Sequence, residues 1–207
     1  MSPALPNFEG RRIAVVTVDM HRGHLDPAVA TMPLAPERAR RVTESNRVLL
    51  EAARERGVPV IHVVTAYNSV EEIASNPWWA SVAGSGATRA NVLRHQLPGS
   101  PGLDVMPELV APDDLYVRTK RRYDSFTSSD LDHVLRSRKI DTILLTGVNT
   151  NSCVLATTVA GNALDYTVVV IEDCVDTMDP SLHDSALAII RQAFGWVASS
   201  QEVVEAL

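Results

Sequence analysis

The feature that most constrains the fold is a series of short, nearly unbroken apolar runs along the 207 residues, with helix-patterned stretches between them. Residues 13–18 read Ile-Ala-Val-Val-Thr-Val, and similar runs occur at 58–65, 115–118, 141–146, 167–171 and 196–198. Runs of this length with no polar alternation are the pattern of strands buried on both faces. Over 36–56, Ala39, Val42, Leu49 and Ala52 recur at helical spacing with charges between them. Gly57 stops that helix and Pro59 follows it. Further helices are expected over 129–138, with Ser128 or Ser129 as N-cap, over 152–164, and over 181–194, where Ser181 and Asp184 are spaced as a capping box. The last seven residues read as a short helix. Strand–helix alternation of this kind predicts an α/β fold with a mostly parallel sheet of about six strands, covered on both faces.

Composition narrows the function class. With 45% hydrophobic and 21% charged residues the chain has the balance of a soluble globular protein, read as one domain over 1–207. Its net charge of −6 offers no basic excess for nucleic acid or an anionic membrane, although a small anionic substrate needs only one local cation. Two cysteines, Cys153 and Cys174, are too few for a disulfide scaffold. No run approaches the roughly 20 apolar residues of a membrane span, and the first residues lack a signal pattern. A cytoplasmic protein with reduced thiols is expected. Gly84-Ser85-Gly86 follows no strand, so no dinucleotide fingerprint is present. Residues 66–114 show no clear period and hold Trp78 and Trp79; a stretch this long is usually functional or an interface.

In parallel α/β sheets, chemistry sits at the carboxyl ends of strands, near a switch in strand order. Asp19 closes the first run, Lys120 lies just past the third, and Cys153 follows the fourth and opens a helix. Each alone has a plain structural reading: a turn acid, a solvated cation among Arg118, Arg121 and Arg122, a small buried hydrophobe. Together they supply the parts for acyl transfer from an amide. A helix N-terminus and an ammonium favour a thiolate, and a carboxylate can take the thiol proton and return it to a leaving group. Cys174, beside Glu172, Asp173 and Asp176, reads as simple packing.

Three ordered segments resemble those of the isochorismatase-like cysteine hydrolases, the superfamily of nicotinamidase and N-carbamoylsarcosine amidohydrolase. They are Val-Val-Thr-Val-Asp-Met around Asp19, Lys120-Arg121-Arg122-Tyr123-Asp124-Ser125-Phe126, and Gly147-Val148-Asn149-Thr150-Asn151-Ser152-Cys153-Val154. Glu172-Asp173 with His183 is similar to the family's fifth-strand ending. The resemblance implies a three-layer, Rossmann-like α/β/α fold and a triad of Asp19, Lys120 and Cys153. It also implies a cis peptide between Val148 and Asn149, an oxyanion hole from the N–H groups of Asn149 and Cys153, and a homodimer or homotetramer. Nicotinamidases of this superfamily hold a metal through Asp-x-His after the second strand, plus further histidines. The corresponding Thr65-Ala66-Tyr67-Asn68 has no such ligands, so neither a metal nor another cofactor is expected. A metal through His21 and His24 lacks a third ligand in view.

Substrate contacts are expected from His21, His24, Tyr67, Asn68, Trp79, Arg122 and Asn151. Either histidine can equally be a structural hydrogen-bonder, Arg122 can pair with a carboxylate or brace the Lys120 loop, and one of Trp78 and Trp79 belongs to the core or a subunit contact. The function expected is a metal-independent cysteine amidohydrolase that cleaves a small linear amide, carbamoyl or ureide compound through a thioester and releases ammonia. The alternatives are a nicotinamidase-type hydrolase of a ring carboxamide and a non-catalytic interaction module.

Overall fold

The six apolar runs form six strands: β1 (Ile13–Val18), β2 (Val60–Thr65), β3 (Leu115–Lys120), β4 (Thr142–Val148), β5 (Thr167–Asp176) and β6 (Trp196–Ala198). The structure, a computed structural model, describes residues 4–85 and 89–207; Gly86 and the first three residues lie outside it. All six strands pair in parallel, in the order β3-β2-β1-β4-β5-β6. Every residue of β1, β2 and β4 is buried, which is why these runs carry no polar alternation.

Eight α-helices are present among the described residues: α1 (Arg22–Leu25), α2 (Pro36–Glu55), α3 (Val70–Ala74), α4 (Pro77–Val82), α5 (Leu131–Ser137), α6 (Leu155–Ala163), α7 (His183–Ala193) and α8 (Ser200–Ala206). Alternate strand residues sort the core into two faces. Val15, Leu144 and Val169 pack with Leu49 and Leu50 of α2 and Val203 of α8. Val16, Leu145 and Val170 pack with Leu131 and Leu135 of α5 and with Leu187 and Ile190 of α7. The result is a three-layer α/β/α fold. None of the described helices is long and apolar enough to cross a membrane.

Several expected boundaries move, each for a local reason. β2 starts at Val60, because Gly57 takes φ +72 after α2 and Val58 still bonds back to Ala53. β3 continues to Lys120, where it pairs with Thr65 past a shift in register. β5 runs five residues beyond Ile171, because a register irregularity against β4 lets Val175 and Asp176 pair with Gly147 and Val148. Cys174 therefore lies inside a strand. α5 starts after Asp130, not at a Ser128 or Ser129 cap. The Ser181–Asp184 capping box does not form: Asp179 accepts the Ser181 N–H and caps a single 3-10 turn, and α7 starts at His183. Residues 66–114 contain α3, α4 and three 3-10 turns, whose Ile73, Trp79 and Val92 form a small cluster with Met32 and Tyr67.

The order places the site. The chain builds outward from β1 to β3, then returns to lay β4 on the other side of β1. The connections that leave the adjacent carboxyl ends of β1 and β4 part at this switch and leave a crevice. Gly147 makes that junction close: it has φ +119, and a Cβ there would overlap the Val18 carbonyl oxygen. Gly147→Ala is therefore expected to lower unfolding free energy by about 3 kcal/mol or more, as measured by urea denaturation with a matched Gly99→Ala control.

Candidate active site

Asp19 sits one residue beyond β1 in the left-handed region, at φ +55, a conformation that a non-glycine residue holds only where its surroundings enforce it. The enforcing contacts are on both ends of the residue. Its backbone N–H donates to the Val63 carbonyl at 2.9 Å. Its Oδ1 accepts the Thr65 N–H at 2.8 Å, and its Oδ2 accepts from Lys120 Nζ at 2.7 Å. Lys120 Nζ also donates to Thr65 Oγ1 at 2.6 Å and lies 3.5 Å from Cys153 Sγ. Asp19 and Lys120 are each 1% exposed and Cys153 is 5% exposed. The structure thus brings together three residues separated by 101 and 33 positions in the chain.

The charge states follow from burial and neighbours. Burial pushes the Asp19 carboxyl up, but the Lys120 ammonium, its hydrogen bond and the neighbouring His21 and His24 together outweigh it and hold the group well below the usual carboxylate range. Burial pushes Lys120 down, and Asp19 with Cys153 more than restores it, so the ammonium persists. Burial raises the Cys153 thiol, Lys120 opposes this, and the net shift is upward. At neutral pH the cluster is carboxylate, ammonium and thiol.

Cys153 lies in a wide π-helical turn, Thr150–Val154, that runs into α6. The expected helix start at Ser152 becomes this turn, in which the Ser152 and Val154 N–H groups both bond the Asn149 carbonyl. The peptide between Val148 and Asn149 is cis. The Asn149 side chain is pinned from behind: its Oδ1 accepts the Met178 N–H at 2.9 Å.

A cavity of about 20 Å³ adjoins these three residues, room for roughly one water, and Asp19, Lys120, Cys153 and Thr65 line it. Of the expected substrate contacts, His24, Tyr67, Trp79 and Arg122 line it too. Trp79 donates to the Tyr123 hydroxyl at 2.7 Å, and the Arg122 guanidinium lies 5.2 Å over the Trp79 ring. Trp78 is 65% exposed, which settles which tryptophan faces inward. Three expected contacts fall elsewhere. Asn68 is exposed, because its backbone N–H is tied to Glu72 ahead of α3. Asn151 turns to Thr177, whose hydroxyl donates to it at 2.6 Å. His21 is fully buried off the wall, stacked on His24 with ring centroids 4.8 Å apart, its Nε2 3.7 Å from Asp19.

Sequence reasoning missed Arg89, His95 and Tyr123 as wall residues. Arg89 donates to Ser152 Oγ at 2.9 Å and lies 4.8 Å over the Tyr123 ring. Arg89 and His95 come from the segment without a period, where only their residue types could have marked them. Burial pushes His21 down to about 3 and His24 down to about 4, and it lowers His95 well below its ordinary value, so all three imidazoles are neutral. Neither ring nitrogen of His21 has a hydrogen-bond partner among the described residues, a cost of about 1–3 kcal/mol per buried group. A larger cleft of about 720 Å³ lies at the amino ends of β1 and β2, far from these groups, and is lined by Arg11, Arg12, Arg56 and Arg138.

The fold and this cluster define a class: an α/β hydrolase with an acid, a lysine and a cysteine at the switch point of a parallel sheet. The Isochorismatase domain profile matches residues 13–202, and the chain belongs to the isochorismatase family. It is similar to the ureidoacrylate amidohydrolase RutB of Caulobacter vibrioides, at 31% identity over 98% of this chain and 95% of that protein. Its fold is similar to that of a cysteine hydrolase from Pseudomonas syringae pv. phaseolicola, with TM-score 0.83 and 26% identity over 94% of this chain and 92% of that one. It is also similar to N-carbamoylsarcosine amidase from Thermoplasma acidophilum, with TM-score 0.71 and 25% identity over 91% and 96% of the two chains. The protein is a hydrolase acting on C–N amide bonds.

The thiol states give a pH prediction. The Cys153 thiol is raised, so its thiolate fraction is small at pH 7 and grows as pH rises. Alkylation of Cys153 by iodoacetamide, followed by intact mass, is expected to accelerate about tenfold per pH unit and to keep rising past the ordinary thiol value of about 8.5. Burial and the neighbouring Asp173 also raise Cys174, which is fully buried inside β5 away from the cavity, so it is expected to react only on unfolding.

Proposed function

We propose that the protein is a cysteine amidohydrolase that cleaves a small linear amide, carbamoyl or ureide compound through a thioester and releases ammonia. The observation that carries this reading is the buried contact of Asp19, Lys120 and Cys153 at the carboxyl ends of β1, β3 and β4. Cys153 Sγ attacks the substrate carbonyl carbon while its proton passes to Asp19. The oxyanion that forms is met by the N–H groups of Asn149 and Cys153, where losing one donor costs about 3–4 kcal/mol of barrier. Collapse breaks the C–N bond, and the proton on Asp19 leaves with nitrogen as ammonia. Water then adds to the thioester, giving a proton to Asp19; the C–S bond breaks, the acid product departs, and the sulfur regains its proton. Lys120 keeps Asp19 ionised and offsets negative charge on sulfur. This sequence routes no step through a metal.

His24, Tyr67, Trp79, Arg89 and Arg122 form the substrate wall in this reading. A planar ureide suits the aromatic sides, and the two guanidinium groups favour a substrate that carries a carboxylate. The cavity holds only about one water, so binding requires outward movement of the half-buried Arg89, Arg122 and Tyr123. The whole chain acts as one hydrolase domain in the cytoplasm. It assembles as a homodimer or homotetramer, a reading supported by the apolar cleft over Leu155, Ala156, Val159 and Ala160 beside Ser152.

The test is ammonia release from biuret, ureidoacrylate, N-carbamoylsarcosine, other N-carbamoyl amino acids, maleamate and nicotinamide. Turnover of a linear ureide or carbamoyl compound is expected, with loss of at least about 10⁴-fold in Cys153→Ala. Near-normal rates in a clean Cys153→Ala preparation would sink the nucleophile assignment. Cys174→Ser is expected to keep kcat/KM within about threefold of the parent, since Cys174 lies inside β5 away from the cavity.

A further inference from the structure

Six histidines occur in the chain, and three of them meet beside the triad. His21, His24 and His95 each offer a ring nitrogen, and the three nitrogens lie within 4.8 Å of one another. The ring centroids are 4.7 to 5.4 Å apart. His21 and His24 come from the first turn after β1. His95 arrives from the segment between β2 and β3, so the trio exists only in the folded chain.

Hydrogen-bond accounting shows which nitrogens are committed. His24 Nδ1 donates to the Met32 carbonyl at 2.7 Å, which fixes the proton there and turns the Nε2 lone pair away from it. His95 Nδ1 pairs with Thr31 Oγ1 at 2.7 Å. Neither Nε2 makes a hydrogen bond among the described residues, and in His21 neither ring nitrogen does. Three neutral imidazoles with uncommitted nitrogens, two of them oriented through Nδ1 by an outer partner, are the arrangement of ligating histidines.

We propose that His21, His24 and His95 form a trihistidine site for a divalent transition-metal ion of the zinc type, with one coordination position open to the cavity beside Cys153. The all-nitrogen donor set suits zinc and its neighbours and does not suit magnesium or calcium. Tetrahedral bonds of about 2.0–2.1 Å put ligand nitrogens about 3.4 Å apart, so the trio closes on an ion by small side-chain rotations. His24 and His95 line the cavity, which gives the open position to water or to an oxygen of the substrate. This site uses none of the residues after β2 where the sequence offers no ligands, and it supplies the third ligand that His21 and His24 lack in the sequence.

The experiment uses the full chain as Cys153→Ala, so that a thiolate cannot serve as a ligand. Protein freed of metal with chelator is titrated with Co²⁺, followed by visible d–d absorption and by metal content after gel filtration. Expected are about one Co²⁺ per chain, a tetrahedral spectrum, and its loss on adding Zn²⁺. His95→Ala and His24→Ala, each with parent-like circular dichroism, are expected to bind at least about 100-fold more weakly. If either fails to fold, His95→Gln takes its place, since it keeps a polar side chain and removes the imidazole. No retained cobalt in the Cys153→Ala chain, or undiminished binding in the histidine variants, overturns the proposal. The readout involves no substrate, so it stands or falls separately from the amide chemistry.

Discussion

The Lys120 ammonium is 1% exposed, and no such charge survives in a protein interior without an anion held against it. Asp19 is that anion, at 2.7 Å. The pair is costly to bury, and breaking it by removing one partner typically costs about 3–5 kcal/mol. Much of the surrounding structure serves to complete its hydrogen bonds: the Thr65 N–H on one carboxylate oxygen, the Thr65 hydroxyl on the ammonium, and a left-handed backbone at Asp19 that turns the carboxylate to meet them. The same pair sets the state of Cys153. It sets an ammonium and a carboxylate beside a thiol that burial keeps protonated.

Parallel topology makes this meeting place. A parallel strand ends with its carboxyl terminus at one edge of the sheet, so β1, β3 and β4 deliver Asp19, Lys120 and the Cys153 turn to the same edge. Because β4 lies on the far side of β1 from β2, the connections after β1 and β4 depart in opposite directions, and a crevice opens between them. The segment between β2 and β3 then folds over that crevice. Its Trp79, Arg89 and His95 close the cavity, and its small apolar cluster anchors the cover.

Some of this was legible in residue order. Alternating apolar runs and helical periods read as a parallel α/β sheet because burial on both faces leaves no room for polar alternation. Asp19, Lys120 and Cys153 stood out because each lies at the end of such a run. The length of β5 was not legible, since it depends on a register irregularity against β4. The α7 start was misread because Asp179, one residue before Pro180, competes for the backbone that Ser181 and Asp184 would cap. Asn68 and Asn151 were misplaced because each is held by a partner outside the cavity lining: Glu72 accepts the Asn68 backbone N–H, and the distant Thr177 hydroxyl donates to the Asn151 side chain.

The sequence by itself determined the class of fold, the strands and the three residues at their ends, together with membership of a hydrolase family. The fold class and the strands depend on which residues alternate with which, whereas the family membership rests on the three motif segments around Asp19, Lys120 and Cys153. Tertiary structure decided the rest: the 3.5 Å approach of Lys120 to Cys153, the choice of Trp79 over Trp78, the entry of Arg89 into the wall, and the convergence of His95 on His21 and His24. Each joins segments more than 25 residues apart or chooses between neighbours on one turn. Only the packing of one element against another fixes such distances, because a polypeptide's local preferences carry no information about which distant side chain will arrive on the other side of a buried space.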